Sequence, residues 1–135
     1  MSPTRPPRPT DAELAILRIL WEKGPCTVRQ VYEELARERE LGYTTALKLL
    51  QVMTEKGLTT REPVGLQQHV YRARYSEAHT QRQLLKDLLE RAFGGSMPQL
   101  VMQALATKKA SPEELREIRR LLARSKSPAK EENDD

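Results

Sequence analysis

One cysteine, one phenylalanine and one tryptophan occur in these 135 residues, and each scarcity closes off a class of protein. Cys26 alone can form neither a disulfide framework nor a cysteine-based metal cluster. Aromatics make up 4 % of the chain, so no large aromatic core is available. No apolar run approaches the roughly 20 residues that cross a bilayer, and the Pro- and Arg-rich start has no apolar signal core. A reducing cytoplasm is the expected compartment. The two histidines, His69 and His79, have no cysteine or carboxylate constellation beside them, whereas zinc needs three or four convergent ligands. There is no Gly-rich phosphate loop and no Ser/His/Asp or Cys/His arrangement. The expectation is a protein without cofactor, metal or enzymatic activity.

What is present is charge and small aliphatic residues. Charged residues are 31 % of the chain, and the apolar ones are mainly Leu, Ala, Val and Ile, which suits small helical layers. The net charge of +4 is mild, but its distribution is informative. From Leu41 to Tyr75, Lys48, Lys56, Arg61, Arg72 and Arg74 oppose only Glu55 and Glu62, whereas from Ser76 onward eleven basic residues meet ten acidic ones. A basic surplus on one segment is an electrostatic footprint for nucleic acid.

Residues 1–9 contain four prolines and two arginines and read as a disordered basic arm. Thr10 and Glu13 form a capping box, and the helix they open carries Leu14, Ile16, Leu17, Ile19, Leu20 and Trp21 before Gly24-Pro25 stops it. Thr27 and Gln30 form a second box, ahead of Val28, Val31, Tyr32 and Leu35 on one helical face. A third helix over 43–56 aligns Ala46, Leu49, Leu50 and Met53 at i, i+3, i+4 and i+7. Gly57 ends it, and two strand-like runs follow, Leu58–Val64 and Gln68–Arg74, turning at Gly65. Three helices and a hairpin, in that order, make a winged helix-turn-helix over 10–75. In that shape the helix over 43–56 enters the major groove and the wing over 58–74 lies on the backbone.

The face of the third helix opposite its apolar stripe carries Thr44, Thr45, Lys48 and, further along, Gln51 or Val52. Hydroxyls, an amide and an ammonium there can meet base edges or phosphates. Tyr43 either offers its hydroxyl to a phosphate or packs on the second helix. Leu47, apolar on the outer half, either meets thymine methyls or helps bury the preceding turn. In the wing, Gln67, Gln68 and His69 at the tip and Arg61 and Arg72 on the strands, with Arg74 beside them, complete the candidate DNA-binding set.

The second half changes character. Gln81 to Phe93 is amphipathic and breaks at Gly94-Gly95, a helix begins at Pro98, and Ser111-Pro112-Glu113-Glu114 opens a last one. Residues 76–124 are too few to bury much apolar surface alone. Leu84, Leu88, Leu89, Phe93, Leu100, Leu105, Leu115, Ile118 and Leu122 would find cover in a second copy, each contributing about 1.5–3 kcal/mol when fully buried. Folding back on the same chain's winged helix is the alternative. A disordered tail is expected over 125–135. The fold class is therefore mainly α with a small β-hairpin wing: an N-terminal winged helix-turn-helix plus a C-terminal helical dimerisation region.

Thr10-Asp11-Ala12-Glu13-Leu14, Ile19-Leu20-Trp21, Val31-Tyr32-Glu33-Glu34-Leu35, the run from Tyr43 to Leu58, and His69-Val70-Tyr71-Arg72-Ala73 resemble, in combination, the penicillinase-repressor family of the BlaI/MecI/CopY type. The resemblance runs from about Thr10 to Leu122. It implies a homodimeric winged-helix repressor on palindromic double-stranded operator DNA, with positions matching Thr44, Thr45 and Lys48 on the DNA-contacting face. Members commonly control β-lactam resistance genes or, in one branch, copper homeostasis. The copper branch carries a Cys-rich motif, which a chain with only Cys26 does not have. In the β-lactam branch a membrane-bound sensor-protease triggers cleavage of an Asn-Phe bond in the dimerisation region. The matching register here is Gln103-Ala104, the candidate regulatory cleavage region. A dimeric repressor is the expected function; the alternative is a winged-helix module whose basic face docks an acidic protein partner.

Overall fold

The computed structural model describes residues 8–125. The expected basic arm falls outside the described residues except for its last two positions, and the expected tail except for Ser125. Eight elements follow one another: α1 (Asp11–Lys23), α2 (Val28–Leu35), α3 (Tyr43–Lys56), β1 (Thr59–Val64), β2 (Gln68–Ala73), α4 (Glu77–Ala92), α5 (Met97–Thr107) and α6 (Pro112–Ser125). The chain divides into two compact units, the first ending at Lys86 and the second beginning at Asp87, so the division falls inside α4.

Local chemistry accounts for the boundaries in the first unit. Both expected capping boxes form. The Thr10 hydroxyl accepts from the Glu13 amide while Oε1 of Glu13 accepts from the Thr10 amide, and Thr27 and Gln30 repeat the exchange. Gly24 ends α1 at φ +85 and Gly57 ends α3 in the left-handed region at φ +87, conformations that a Cβ disfavours. The left-handed turn at Gly57 lets the Leu58 amide bond back to the Met53 carbonyl and sends the chain into β1.

The helices close on one core. Ile16, Leu17 and Leu20 of α1, Val31 and Leu35 of α2, and Ala46, Leu50 and Met53 of α3 are buried together with Cys26, Leu58 and Tyr71. Each large aliphatic among them contributes about 1.5–3 kcal/mol. β1 and β2 pair antiparallel from Thr59↔Ala73 to Val64↔Gln68. One further backbone bond, Arg74 N–H to Leu58 carbonyl, extends the ladder past the strands, which is why the sequence pattern reads them a residue longer.

Three ties between elements hold this unit, two of them between segments distant in sequence. Cys26 and Tyr71 exchange backbone hydrogen bonds of 3.0 and 2.7 Å, a one-residue third strand that pins the wing to the α1–α2 loop. The Thr54 hydroxyl donates to the Leu50 carbonyl and lies 3.0 Å from the Thr59 hydroxyl, which satisfies a buried polar side chain where α3 meets β1. Lys56 Nζ reaches both carboxylate oxygens of the buried Glu13, at 2.9 and 2.7 Å, joining the end of α3 to the start of α1. Burial pushes the Glu13 carboxyl up, but Lys56, the Thr10 amide and the Lys56 charge outweigh it, and the net shift is downward.

Beyond the wing, Trp21 donates its indole N–H to the Tyr75 carbonyl at 2.9 Å. The Tyr75 ring stacks on His79 at 4.9 Å. α4 starts at Glu77, four residues before the leucine pattern begins, because the Ser76 hydroxyl caps the His79 amide. Ser96 likewise starts α5 at Met97, and Ser111 with Glu114 forms a capping box for α6. None of these three helices contributes a buried residue.

Candidate nucleic-acid interface

Helix α3 has one committed face. Ala46, Leu50 and Met53 are fully buried against α1 and α2, and rotation by 100° per residue turns Thr44, Thr45, Lys48 and Gln51 outward, where all four are exposed. α1 and α2 begin with side-chain caps, but α3 begins at Gly42 with none. The first-turn amides of α3 thus have no side-chain acceptor, next to two outward threonine hydroxyls.

The hairpin register sorts the wing residues. Alternation along paired strands puts Arg61 and Pro63 on one face with His69 and Tyr71, and Thr60 and Glu62 on the other with Val70 and Arg72. Tyr71 is buried, so the first face is the one turned toward the helices. Arg72 lies on the second face and pairs with Glu62 at 2.8 Å. Arg74 sits over the Tyr75 ring at 5.5 Å. The basic surplus counted along 41–75 is therefore smaller as free charge. Lys56 is bound to Glu13 and Arg72 to Glu62, while Lys48 and Arg61 have no such partner among the described residues.

Between wing and helices lies a cleft of about 340 Å³. Its helical side is formed by Thr27, Val28 and Arg29 of the α2 start and by Tyr43, Leu47 and Gln51 of α3. Its wing side is formed by Arg61, Gln67, Gln68, His69 and Tyr71. The structure thus brings Tyr43, Gln51, Arg61, Gln67, Gln68 and His69 to one place, leaves Thr44, Thr45 and Lys48 on the adjoining open face of α3, and turns Arg72 away. Leu47 is half-buried and lines the cleft wall, between the two alternatives its sequence position allowed.

Tyr43 packs on α2: its ring lies edge-on to Tyr32 at 5.8 Å, and the Arg29 guanidinium sits 4.9 Å above it. Arg29 is the residue that sequence reading missed. Its only signal was a position just inside a capping box, which is common on solvated helices. At the wing tip Leu66 is 99 % exposed beside Gly65 at φ +71. Cys26 is buried, and burial pushes its thiol above the ordinary value, the opposite of an activated thiolate. No group of three or more His, Cys, Asp and Glu is placed to hold a metal among the described residues.

In the second half, Leu88, Leu105, Leu115 and Leu122 are exposed, as are Leu85, Val101 and Leu121. Leu84, Leu89, Phe93, Leu100 and Ile118 are half-buried. Gln103 and Ala104 are exposed on α5, and the Gln103 carbonyl accepts the Thr107 hydroxyl at 2.6 Å. Among the described residues no helix is long and apolar enough to cross a membrane.

Known proteins resemble this chain over most of its length. Residues 9–124 match the family described as penicillinase repressor. The transcriptional regulator BlaI of Mycobacterium tuberculosis is 38 % identical over 81 residues, covering 58 % of this chain and 54 % of that protein. The chain thus spans about half the length of that relative. The penicillinase repressor of Bacillus licheniformis is 24 % identical over 125 residues, 93 % of this chain and 97 % of that protein.

Proposed function

The chain belongs to the penicillinase repressor family, and on that premise we propose that it is a homodimeric, sequence-specific, DNA-binding transcriptional repressor acting on a palindromic operator in the cytoplasm. The observation that carries the proposal is the outward stripe Thr44, Thr45, Lys48 and Gln51 on a helix whose opposite face is locked into the core. A rigidly seated helix can present side chains to base edges with little entropy left to lose. Lys48 takes a guanine edge or a phosphate, the threonines take phosphates or thymine methyls, and the cleft-lining Arg61, Gln67, Gln68 and His69 take the backbone beside the groove. Arg72 belongs to this set only if its bond to Glu62 opens on binding.

The half-covered leucines of α4 to α6 support dimerisation, since a single copy leaves them open to water. Two reading heads related by a two-fold axis then address half-sites one or two helical turns apart. In this reading repression is relieved by proteolysis in the dimerisation region, triggered by a membrane sensor-protease, with Gln103-Ala104 as the candidate bond. The bond lies within α5, so the helix must open locally before a protease can take it in extended form. The chain itself acts by binding and carries out no catalysis.

The test is fluorescence anisotropy of the protein against its own upstream DNA and a scrambled duplex across a salt series. Tight, salt-sensitive binding to the first, at two protomers per site, is the expected result. Equal and weak binding to both would remove the repressor reading in favour of a protein-docking module.

A further inference from the structure

We propose that Arg29, on the helix before the recognition helix, is a DNA-backbone contact seated on the ring of Tyr43, and that the cleft it lines receives an operator phosphate. The inference rests on the repressor reading and adds to it a residue from α2, together with a different role for Tyr43.

The seat is built from two residues of α2. The Arg29 guanidinium lies 4.9 Å from the Tyr43 ring centroid, and Tyr32 meets the same ring edge-on at 5.8 Å. A guanidinium held over an aromatic ring by cation–π attraction keeps N–H donors for a further partner, and those donors fit a phosphate in a two-pronged geometry. Lys23, Lys56, Arg72 and Arg120 each pair with a glutamate, but Arg29 has no carboxylate partner among the described residues. Arg29 is also exposed, so its charge is available.

The cleft itself selects for an anion. Arg61 supplies a second cation on its wing side, Gln51 and Gln67 supply amide donors, and no Asp or Glu lines it. The neighbouring cleft at the α1–α2 loop is lined by Glu33 and Glu34, and the one on α6 by Glu113 and Glu117. This carboxylate-free cleft borders the outward stripe of α3. Tyr43 accordingly acts through its ring, holding Arg29, and its hydroxyl is dispensable.

The experiment uses the full-length chain, its own upstream duplex and a scrambled duplex, with affinity read by anisotropy from low to high salt. Arg29→Ala should weaken binding about tenfold or more, by the same factor on both duplexes, because phosphates carry no sequence information. The slope of log affinity against log salt should shrink by about 2 per dimer, roughly 0.9 for each lost phosphate contact. Tyr43→Leu should fall toward Arg29→Ala, Tyr43→Phe, which keeps the ring, should lose less than Tyr43→Leu, and the double variant Arg29→Ala/Tyr43→Leu should be no worse than Arg29→Ala alone.

Thermal melts that match the parent's show that these losses are not unfolding. Unchanged affinity and slope in Arg29→Ala, with the parent still discriminating the two duplexes, would overturn this inference and leave the repressor reading standing. A loss confined to the native duplex with an unaltered slope would overturn it too, by making Arg29 a base reader. Equal damage from Tyr43→Phe and Tyr43→Leu would overturn the seat. A parent that does not discriminate the duplexes fails the repressor reading itself, and this inference with it.

Discussion

Between Ile16 and Tyr71, side chains from three helices and a hairpin close over one another until the largest of them have almost no contact with water; from Glu77 to Ser125, three helices of comparable length bury none. Apolar residues are plentiful in both regions. The difference lies in what crosses from element to element. The first region has the Cys26–Tyr71 backbone pair and the Glu13–Lys56 ion pair, which join segments distant in sequence, and the Thr54–Thr59 contact between successive elements. In the second, the hydrogen bonds run within a helix or at its cap. A stripe of leucines becomes a core only where a second surface meets it, and in the proposed dimer a second copy of the chain supplies that surface to the second region's stripes.

That contrast can be broken most directly by removing residues 87–135. The remaining piece should stay folded by circular dichroism and become monomeric by light scattering, with operator affinity lowered about 10²–10⁴-fold through loss of bivalency. A fragment that stays dimeric would place the dimer contacts in the winged helix.

A smaller test compares one leucine from each region. Leu50→Ala should cost about 2–5 kcal/mol at any protein concentration, because Leu50 is fully buried within one chain. Leu122→Ala should lower the melting temperature only where the dimer is populated, so its effect should vanish on dilution. Concentration-independent loss in Leu122→Ala would mean that the second region packs on its own chain.

The buried ion pair sharpens the comparison through pH. The folded Glu13 carboxyl titrates below its ordinary value of about 4.5. Its contribution to stability is therefore complete above that value and is lost as pH falls through the lower folded one. Melting temperature should drop more steeply below pH ~4.5 in the parent than in Glu13→Gln. Lys56→Met should cost roughly 3 kcal/mol at neutral pH by leaving a buried carboxylate unpaired.

The smallest expected effects come from two surface cations in the first region. Lys48→Ala should weaken operator binding about tenfold with no change in melting temperature. Arg72→Ala should change stability by no more than about 0.5 kcal/mol, since the pair it breaks is half-exposed on both sides, and should leave DNA affinity near the parent's. A strong binding loss in Arg72→Ala would show that the Glu62 pair opens on the duplex.

Much of this was legible along the chain. Thr10 with Glu13, Thr27 with Gln30 and Ser111 with Glu114 announce helix starts because a capping box lies within four residues. Ala46, Leu50 and Met53 announce the buried face of α3 by spacing alone, and with it the outward threonines and Lys48. The start of α4 was less visible, since Glu77, Ala78, His79 and Thr80 carry no apolar pattern and only the Ser76 cap marks it. Lys56 read as part of the basic surplus because its partner, Glu13, stands forty-three residues away. Arg29 carried only the common signal of a position just inside a capping box until Tyr43 was placed beneath it.

The order of elements, their caps and the faces of the first three helices follow from interactions within a turn or two, where a residue's neighbours in space are its neighbours in sequence; these the amino-acid sequence determined by itself. Which cations are free, which way the wing arginines face, that Cys26 lends the wing a third strand, and that Arg29 rests on Tyr43 were decided only by tertiary structure. Each of those depends on two segments meeting after the core has closed, and no local pattern encodes such a meeting.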